Sequence, residues 1–230
     1  MLLRPLPFSE PDRLVRIDSI RGNEIGKITP REWEELNRDS QVFEGVAAWY
    51  PSQYNLSYAG SAEVVTACMT TANLFRVLGA KFVAGASWQE GTHRERNPVV
   101  VLNHELWQRR FGGDRALVGS ILPLDFSSYE VVGVAEPGFD FPGKMDIFRA
   151  AYLGSAQNWE VRSLFAVARL RRGVSVEQAR ERLAQFGRLM ERDFPNSNQG
   201  VTFQVRPLRD AYVGEVRPLP SLTAKESSAA

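Results

Sequence analysis

Cysteine, histidine and long apolar runs are what this chain has least of. Its one cysteine, Cys68, has no partner for a disulfide within the chain, and it lies in the apolar run VVTACM, where it reads as a small buried hydrophobe. The two histidines, His93 and His104, stand at no i, i+4 spacing with another ligand type on a predicted helix. His104-Glu105 opens like the zincin motif HExxH, but Gln108 occupies the place of the second histidine, so no metal site is predicted. GxSxG, GxGxxG and GxxxxGK[ST] strings are absent, which removes support for an elbow serine, a dinucleotide loop or a phosphate loop. The sequence reads as having no catalytic residue, no cofactor-binding residue and no metal ligand. No run of about 18 apolar residues is present, so no membrane span is predicted, and no signal peptide is read. A formal charge of +1 gives no broad field for nucleic acid or an anionic surface.

What is there is an ordinary folded composition. The 230 residues are 43% apolar and 24% charged, enough for one large or two small domains with a real core. Leu14 to Asp18 alternates apolar and polar residues as a half-buried strand does. Thr29-Pro30-Arg31-Glu32 supplies a hydroxyl cap, a proline at the first helical position and a glutamate at the third, which predicts a helix with Trp33, Leu36 and Ser40 on one face. An apolar patch from Phe43 through Val46, Ala47 and Trp49 follows. Strands are predicted over Gln53 to Tyr58 and Glu63 to Thr70, joined as a hairpin by Ala59-Gly60-Ser61. Asn73 is expected to cap a short helix that Gly79 ends.

From Lys81 to about Asn158 the texture changes to short strands and glycine-rich turns, which predicts a separate lobe. Within it Val99 to Leu102 reads as a buried strand, Asn103 as the cap of a helix carrying Leu106, Trp107 and Phe111, Gly112-Gly113 as its stop, and Tyr129 to Val134 as a second strand. Arg162 to Leu170 is a further strand. Ser175-Val176-Glu177-Gln178 is a second capping box, introducing the longest helix. Val176, Ala179, Leu183, Phe186, Met190 and Phe194 form its buried stripe, Pro195 ends it, and Val201 to Pro207 returns as a strand. The clusters Arg109-Arg110 and Arg169-Leu170-Arg171-Arg172 read as solvated or helix-end charge, with a surface for an acidic partner as the alternative. Trp88, Trp107 and Trp159 are candidate partner anchors, with core packing favoured for Trp107. Met1 to Pro7 reads either as the trimmed end of a membrane helix or as a disordered start, and Pro220 to Ala230 as a disordered tail.

Several collinear strings carry a family resemblance. They are Leu2-Leu3-Arg4-Pro5-Leu6-Pro7-Phe8 leading to Pro11-Asp12-Arg13-Leu14-Val15, then Asn73-Leu74-Phe75-Arg76-Val77-Leu78-Gly79, then Leu106 to Asp114 with Val118-Gly119, then Tyr129 to Val134. Phe139-Asp140-Phe141-Pro142 and Leu208 to Pro218 extend the match. Together they resemble the MacB-like periplasmic core domain of ABC transporter permeases, in particular the large acidobacterial type, in truncated form. Where that family usually shows a Trp and a Pro, this chain has Asp146-Ile147-Phe148-Arg149-Ala150.

The resemblance implies an α+β fold with a discontinuous porter-like α/β lobe and an inserted, mostly β, sabre-like lobe. The expected division is residues 1–80 and 159–213 for the porter-like lobe, 81–158 for the inserted lobe, and 214–230 for a truncated connection or disordered tail. It also implies a noncatalytic domain on the extracytoplasmic (periplasmic) face of the bacterial inner membrane, hung between transmembrane helices absent from this chain. That domain would relay conformational change or contact partners during export. A cytoplasmic ATPase, a periplasmic adaptor and a homodimeric copy are the partners implied, and nucleic acid is not among them. The alternative is a free-standing soluble binding module or hydrolase whose groups converge only in three dimensions. The first reading predicts that Leu14 and Tyr212 lie on the same face of the fold, since both chain ends must enter one membrane, whereas a deep pocket lined by at least two converging ionisable groups would favour the second.

Overall fold

The computed structural model describes residues 8–39, 41–89, 98–153 and 159–214, with the side chains of residues 212–214 excepted. Ser40, His93, Met1 to Pro7 and the tail from Pro220 lie outside the described residues.

The chain opens with a 3₁₀ turn, Pro11–Arg13, and passes into β1 (Leu14–Arg21), β2 (Glu24–Gly26) and α1 (Pro30–Arg38). The capping box read at Thr29 is present. The Thr29 hydroxyl accepts from the Glu32 amide at 3.1 Å, and the Glu32 carboxylate accepts from the Thr29 amide at 2.9 Å. Next come β3 (Phe43–Tyr58) and β4 (Ser61–Thr70). The Phe43 to Trp49 patch is therefore the first half of one 16-residue strand, because its alternate side chains serve two opposite cores. The connecting turn is two residues rather than three: Tyr58 pairs with Ser61, and Ala59 and Gly60 both take positive φ, at 49° and 77°.

In α2 (Leu74–Leu78) Gly79 closes the helix at φ 70°, as expected, but Asn73 does not cap it. Asn73 is itself helical, and its side chain is spent on β3 and α1, donating to Val46 O at 2.9 Å and to Asn37 Oδ1 at 3.0 Å. β5 (Phe82–Gly85), β6 (Val99–Leu102), α3 (His104–Phe111), β7 (Ile121–Leu124), β8 (Ser127–Ala135) and β9 (Ile147–Ala150) follow. The Asn103 side chain caps α3 by accepting from the Leu106 amide at 2.7 Å, and Gly112 ends it at φ 61°. β10 (Phe165–Leu170) starts later than its sequence pattern suggests, Leu164 contributing only an isolated bridge to Ile28. α4 (Val176–Asp193) opens on the Ser175 capping box and buries Ala179, Leu183, Phe186 and Met190, the stripe its spacing predicts. α5 (Pro195–Asn198), β11 (Val201–Pro207) and α6 (Leu208–Gly214) complete the described chain.

The described strands form one sheet in the order β11-β1-β10-β3-β4-β9-β6-β8-β5, with β2 beside β1 and β7 between β3 and β8. Pairing is antiparallel except for β4 with β9 and β6 with β8. Three apolar clusters cover its two faces. On one face α1 and α4 cover Val15, Ile17, Val46, Ala166, Ala168, Phe203 and Val205, while farther along the same face α3 covers Val65, Ala67, Val100, Leu102, Val131 and Ile147. On the opposite face α2 and the Phe139 and Phe141 loop pack on Ala47, Cys68, Val101, Phe148 and Val167. Helices thus lie on both faces of the shared sheet, and Leu56, Val65 and Ala67 join the apolar cluster built by residues 100–147.

Candidate functional site

One end of the sheet gathers the first and last described segments. β1 and β11 pair from Val15 opposite Pro207 to Arg21 opposite Val201, and α6 starts at the next residue, Leu208. Asp18, 2% exposed, joins the two strands: it accepts from Arg16 Nε at 2.7 Å on its own strand, and from Arg206 Nη2 at 2.8 Å on β11. Arg209 at the start of α6 lies 3.6 Å from Asp12. The segment before β1 is held from β10. Buried Arg169 donates to the carbonyls of Val77 at 2.7 Å and Ser9 at 2.6 Å, and Arg13 donates to Leu170 O at 2.9 Å. Burial, and then the neighbouring Arg13 charge, pull the Arg169 pKa below its ordinary value. Arg169 therefore leaves the solvated cluster read from sequence, since its side chain is buried and serves backbone acceptors. Exposed Arg172 lies 3.3 Å from Glu10.

The second notable place is a groove on the face where the α4 and α3 covers leave the sheet open. Tyr50 and Tyr54 on β3, Met69 on β4 and Arg149 on β9 belong to this face, since Met69 pairs with both Tyr50 and Arg149, and the flanking positions feed the two covered clusters. The Arg149 guanidinium lies 3.8 Å from the Tyr129 ring centre and 4.6 Å from that of Tyr54. These residues, with Pro98, Ser127, Ser128 and Tyr152, line a cleft of about 360 Å³. A second cleft of about 490 Å³ adjoins it through Tyr50 and Tyr152, with Lys27, Pro30, Pro51, Leu153, Val161 and Leu164 in its walls. Burial raises the Tyr50 pKa, with Tyr54 adding to the shift and Arg149 opposing it.

The residues singled out in the sequence are dispersed. Arg109 and Arg110 grip Glu63 of β4, at 2.6 Å and 3.1 Å, and Arg110 also donates to the Tyr58 carbonyl at 3.0 Å, so this pair fastens the β3–β4 hairpin to α3. Trp107 is buried and donates to Asp114 O at 2.9 Å. Trp88 is buried edge-on to Phe75, and Trp159, half-buried, lies 6.0 Å from the Arg31 guanidinium. Cys68 is fully buried, and burial pushes its thiol pKa far up. His104 stands edge-on to Trp107 at 5.5 Å. Among the described residues no three His, Cys, Asp or Glu side chains gather as metal ligands, and no helix is long and apolar enough to cross a membrane.

A model of the MacB-like periplasmic core domain matches residues 3–186. The chain belongs to this family. No curated protein matches it. Among solved structures, this MacB-like domain is similar to the periplasmic region of MacB from Actinobacillus actinomycetemcomitans, with TM-score 0.64 and 14% identity over 90% of this chain and 94% of that one. It also resembles a domain of a putative permease protein from Porphyromonas gingivalis, with TM-score 0.62 and 18% identity over 87% and 91% of the two chains. A third likeness is to the extracellular domain of the noncanonic ABC-type transporter YknZ from Gram-positive bacteria, with TM-score 0.61 and 12% identity over 84% and 99%. At these identities the structural likeness speaks to the fold, an α+β architecture, while the family match makes this a MacB-like periplasmic domain of ABC transporter permeases.

Sequence reasoning missed Arg149 and the four tyrosines of the MacB-like domain's groove. Tyr50 and Tyr54 are spaced by four within one strand, a weak signal of a shared face, but the pairing of β4 with β9 that brings Arg149 to them carries no local mark in sequence.

Proposed function

We propose that this domain is a noncatalytic extracytoplasmic module that relays displacement within an ABC permease during export. The observation that carries the reading is the pairing of β1 with β11, from Val15 opposite Pro207, with α6 leaving beside the 3₁₀ turn through Arg209 and Asp12. Two membrane helices flanking such a domain need their attachment points side by side, and this pairing supplies that arrangement. A push delivered there meets a hydrogen-bonded strand pair and then α4, which packs on β11 through Phe186 and Phe203, with ring centres 5.1 Å apart. Close-packed interiors transmit strain with little compression.

The porter-like lobe is proposed to comprise residues 1–80 and 159–213, the inserted lobe residues 81–158, and the connection residues 214–230. A cytoplasmic ATPase would supply the displacement, with an adaptor or a second copy as further contacts. No observation favours a hydrolase: each of the two clefts has one cation, Lys27 or Arg149, and neither carboxylate nor histidine among its described lining residues.

The proposed side of the membrane is tested by thiol labelling in intact cells. Phe126 is fully exposed at the β7–β8 turn, whereas Cys68 is buried and stays silent. In the permease carrying Phe126→Cys, a membrane-impermeant maleimide is expected to label the domain from outside, with the outer membrane permeabilised where one is present. Labelling only after lysis of the inner membrane would contradict the reading.

A further inference from the structure

We infer that the groove at Arg149 is a binding site for a small amphiphilic carboxylate, its head on the Arg149 guanidinium and its apolar body along the adjoining cleft. This rests on the groove's own chemistry and not on the relay reading.

Arg149 lies against two tyrosine rings and, among the described residues, has no acidic partner. The Tyr54 and Tyr129 rings, 6.5 Å apart and inclined at 62°, meet the guanidinium from two directions without sandwiching it. Among the described residues its buried Nε, like those of Arg31, Arg110 and Arg206, has no acceptor. Arg13, Arg16, Arg109, Arg110, Arg169 and Arg206 each have an acceptor or an acidic neighbour, and Arg31 has Glu160 at 3.5 Å. Guanidinium N–H bonds lie in the plane of the group and point outward as a fork, the geometry in which it takes an acceptor. A carboxylate matches that fork with two parallel hydrogen bonds.

The walls decide the rest of the ligand. Ser127 and Ser128 offer hydroxyls beside Tyr129, while Met69, Pro98 and Tyr50 make the surroundings largely apolar. Past Tyr50 and Tyr152 the second cleft is walled by Pro30, Pro51, Leu153, Val161 and Leu164. A highly hydrated inorganic anion gains nothing from these walls, whereas an alkyl or aryl chain leaves water there. The combined volume suits a molecule with a compact anionic head and an extended apolar body.

The test uses the whole chain and decanoate below its micellar concentration, followed by calorimetry and by ring-carbon NMR of tyrosine. Decanoate is expected to bind at one site, shifting Tyr54 and Tyr129 signals, while acetate and decyltrimethylammonium bind at least tenfold more weakly. Arg149→Gln is expected to weaken decanoate roughly 10- to 100-fold. Arg149→Lys, which keeps the charge but loses the paired donors, should fall between the two. A Tyr152→Ala variant, altering an exposed wall outside the core, should weaken decanoate but leave acetate unchanged. Equal binding of the cationic and anionic amphiphiles by the native chain would overturn the site without any variant. So would decanoate affinity that survives Arg149→Gln in a folded protein, or no detectable decanoate binding.

Discussion

Asp18 on β1 accepts a hydrogen bond from Arg206 on β11 at 2.8 Å, with almost no exposure of its own. It also holds Arg16, so one carboxylate neutralises two arginines that face each other across the strand pair. Replacing it leaves both cations without their acceptor at the seam proposed to carry displacement. Asp18→Ala is expected to cost about 2–3 kcal/mol in urea unfolding, below the full value of a buried pair because the arginines are partly solvated. A loss under about 0.5 kcal/mol would show that the seam is held by backbone pairing alone.

Arg169 acts on the opposite side of β1. Its hydrogen bonds to Val77 and Ser9 fasten the segment before β1 to α2 and β10. Arg169→Met keeps much of the length but removes every donor, and is expected to destabilise by about 2–4 kcal/mol. Hydrogen exchange should quicken first around Ser9 to Arg13. Unchanged exchange there, with lost global stability, would argue against a local anchoring role.

Glu32 is fully buried in the α1 capping box, accepting from Arg162 Nη1 at 2.8 Å. Burial raises its carboxyl pKa above 4.5, although Arg162 and the Thr29 hydrogen bonds pull the other way. A carboxyl raised on folding holds its proton more tightly in the folded state. Its contribution is therefore full below the unfolded value and declines as pH rises through the folded value. Relative to Glu32→Gln, the wild type should lose stability as pH rises from about 4 toward 7. Denaturant midpoints of both proteins across that range check the sign; a wild type that gains on the variant with rising pH would refute it.

Much of this fold is legible locally because its devices are local. Thr29 with Glu32, Asn103, Ser175 with Gln178, and Gly79 and Gly112 each announce a helix end within a few residues, and the α4 stripe follows from spacing alone. What stayed hidden depends on distant partners. β9 is four residues long and all but Arg149 buried, so it carries no alternation, and its parallel place beside β4 is set by the packing of Phe148 and Ile147 on opposite faces. Asn73 looked like a cap because the residue type suits one, yet Val46 and Asn37 compete for its side chain. Arg169 sits in a basic run that reads as surface, and its burial depends on α2 and the Ser9 segment, both far from it in sequence. The groove shares this fate, since Tyr54, Tyr129 and Arg149 come from three strands.

The β3–β4 turn offers a stabilising change. Ala59 holds φ 49° on an exposed two-residue turn, a conformation that costs a residue with a Cβ about 1 kcal/mol or more. Ala59→Gly or Ala59→Asn is expected to gain about 0.5–1 kcal/mol, read as a raised denaturant midpoint with unchanged slope. A lowered midpoint for both would contradict the turn geometry.

The relay itself is tested most directly by hydrogen exchange with mass spectrometry on the reconstituted permease, compared with and without ATP. Bound nucleotide lies across the membrane from this domain in the proposed arrangement, so any response must arrive mechanically. Altered protection is expected in β1, β11 and α6, continuing into α4. Identical exchange throughout residues 8–214 in both nucleotide states, while the ATPase turns over, would contradict the account.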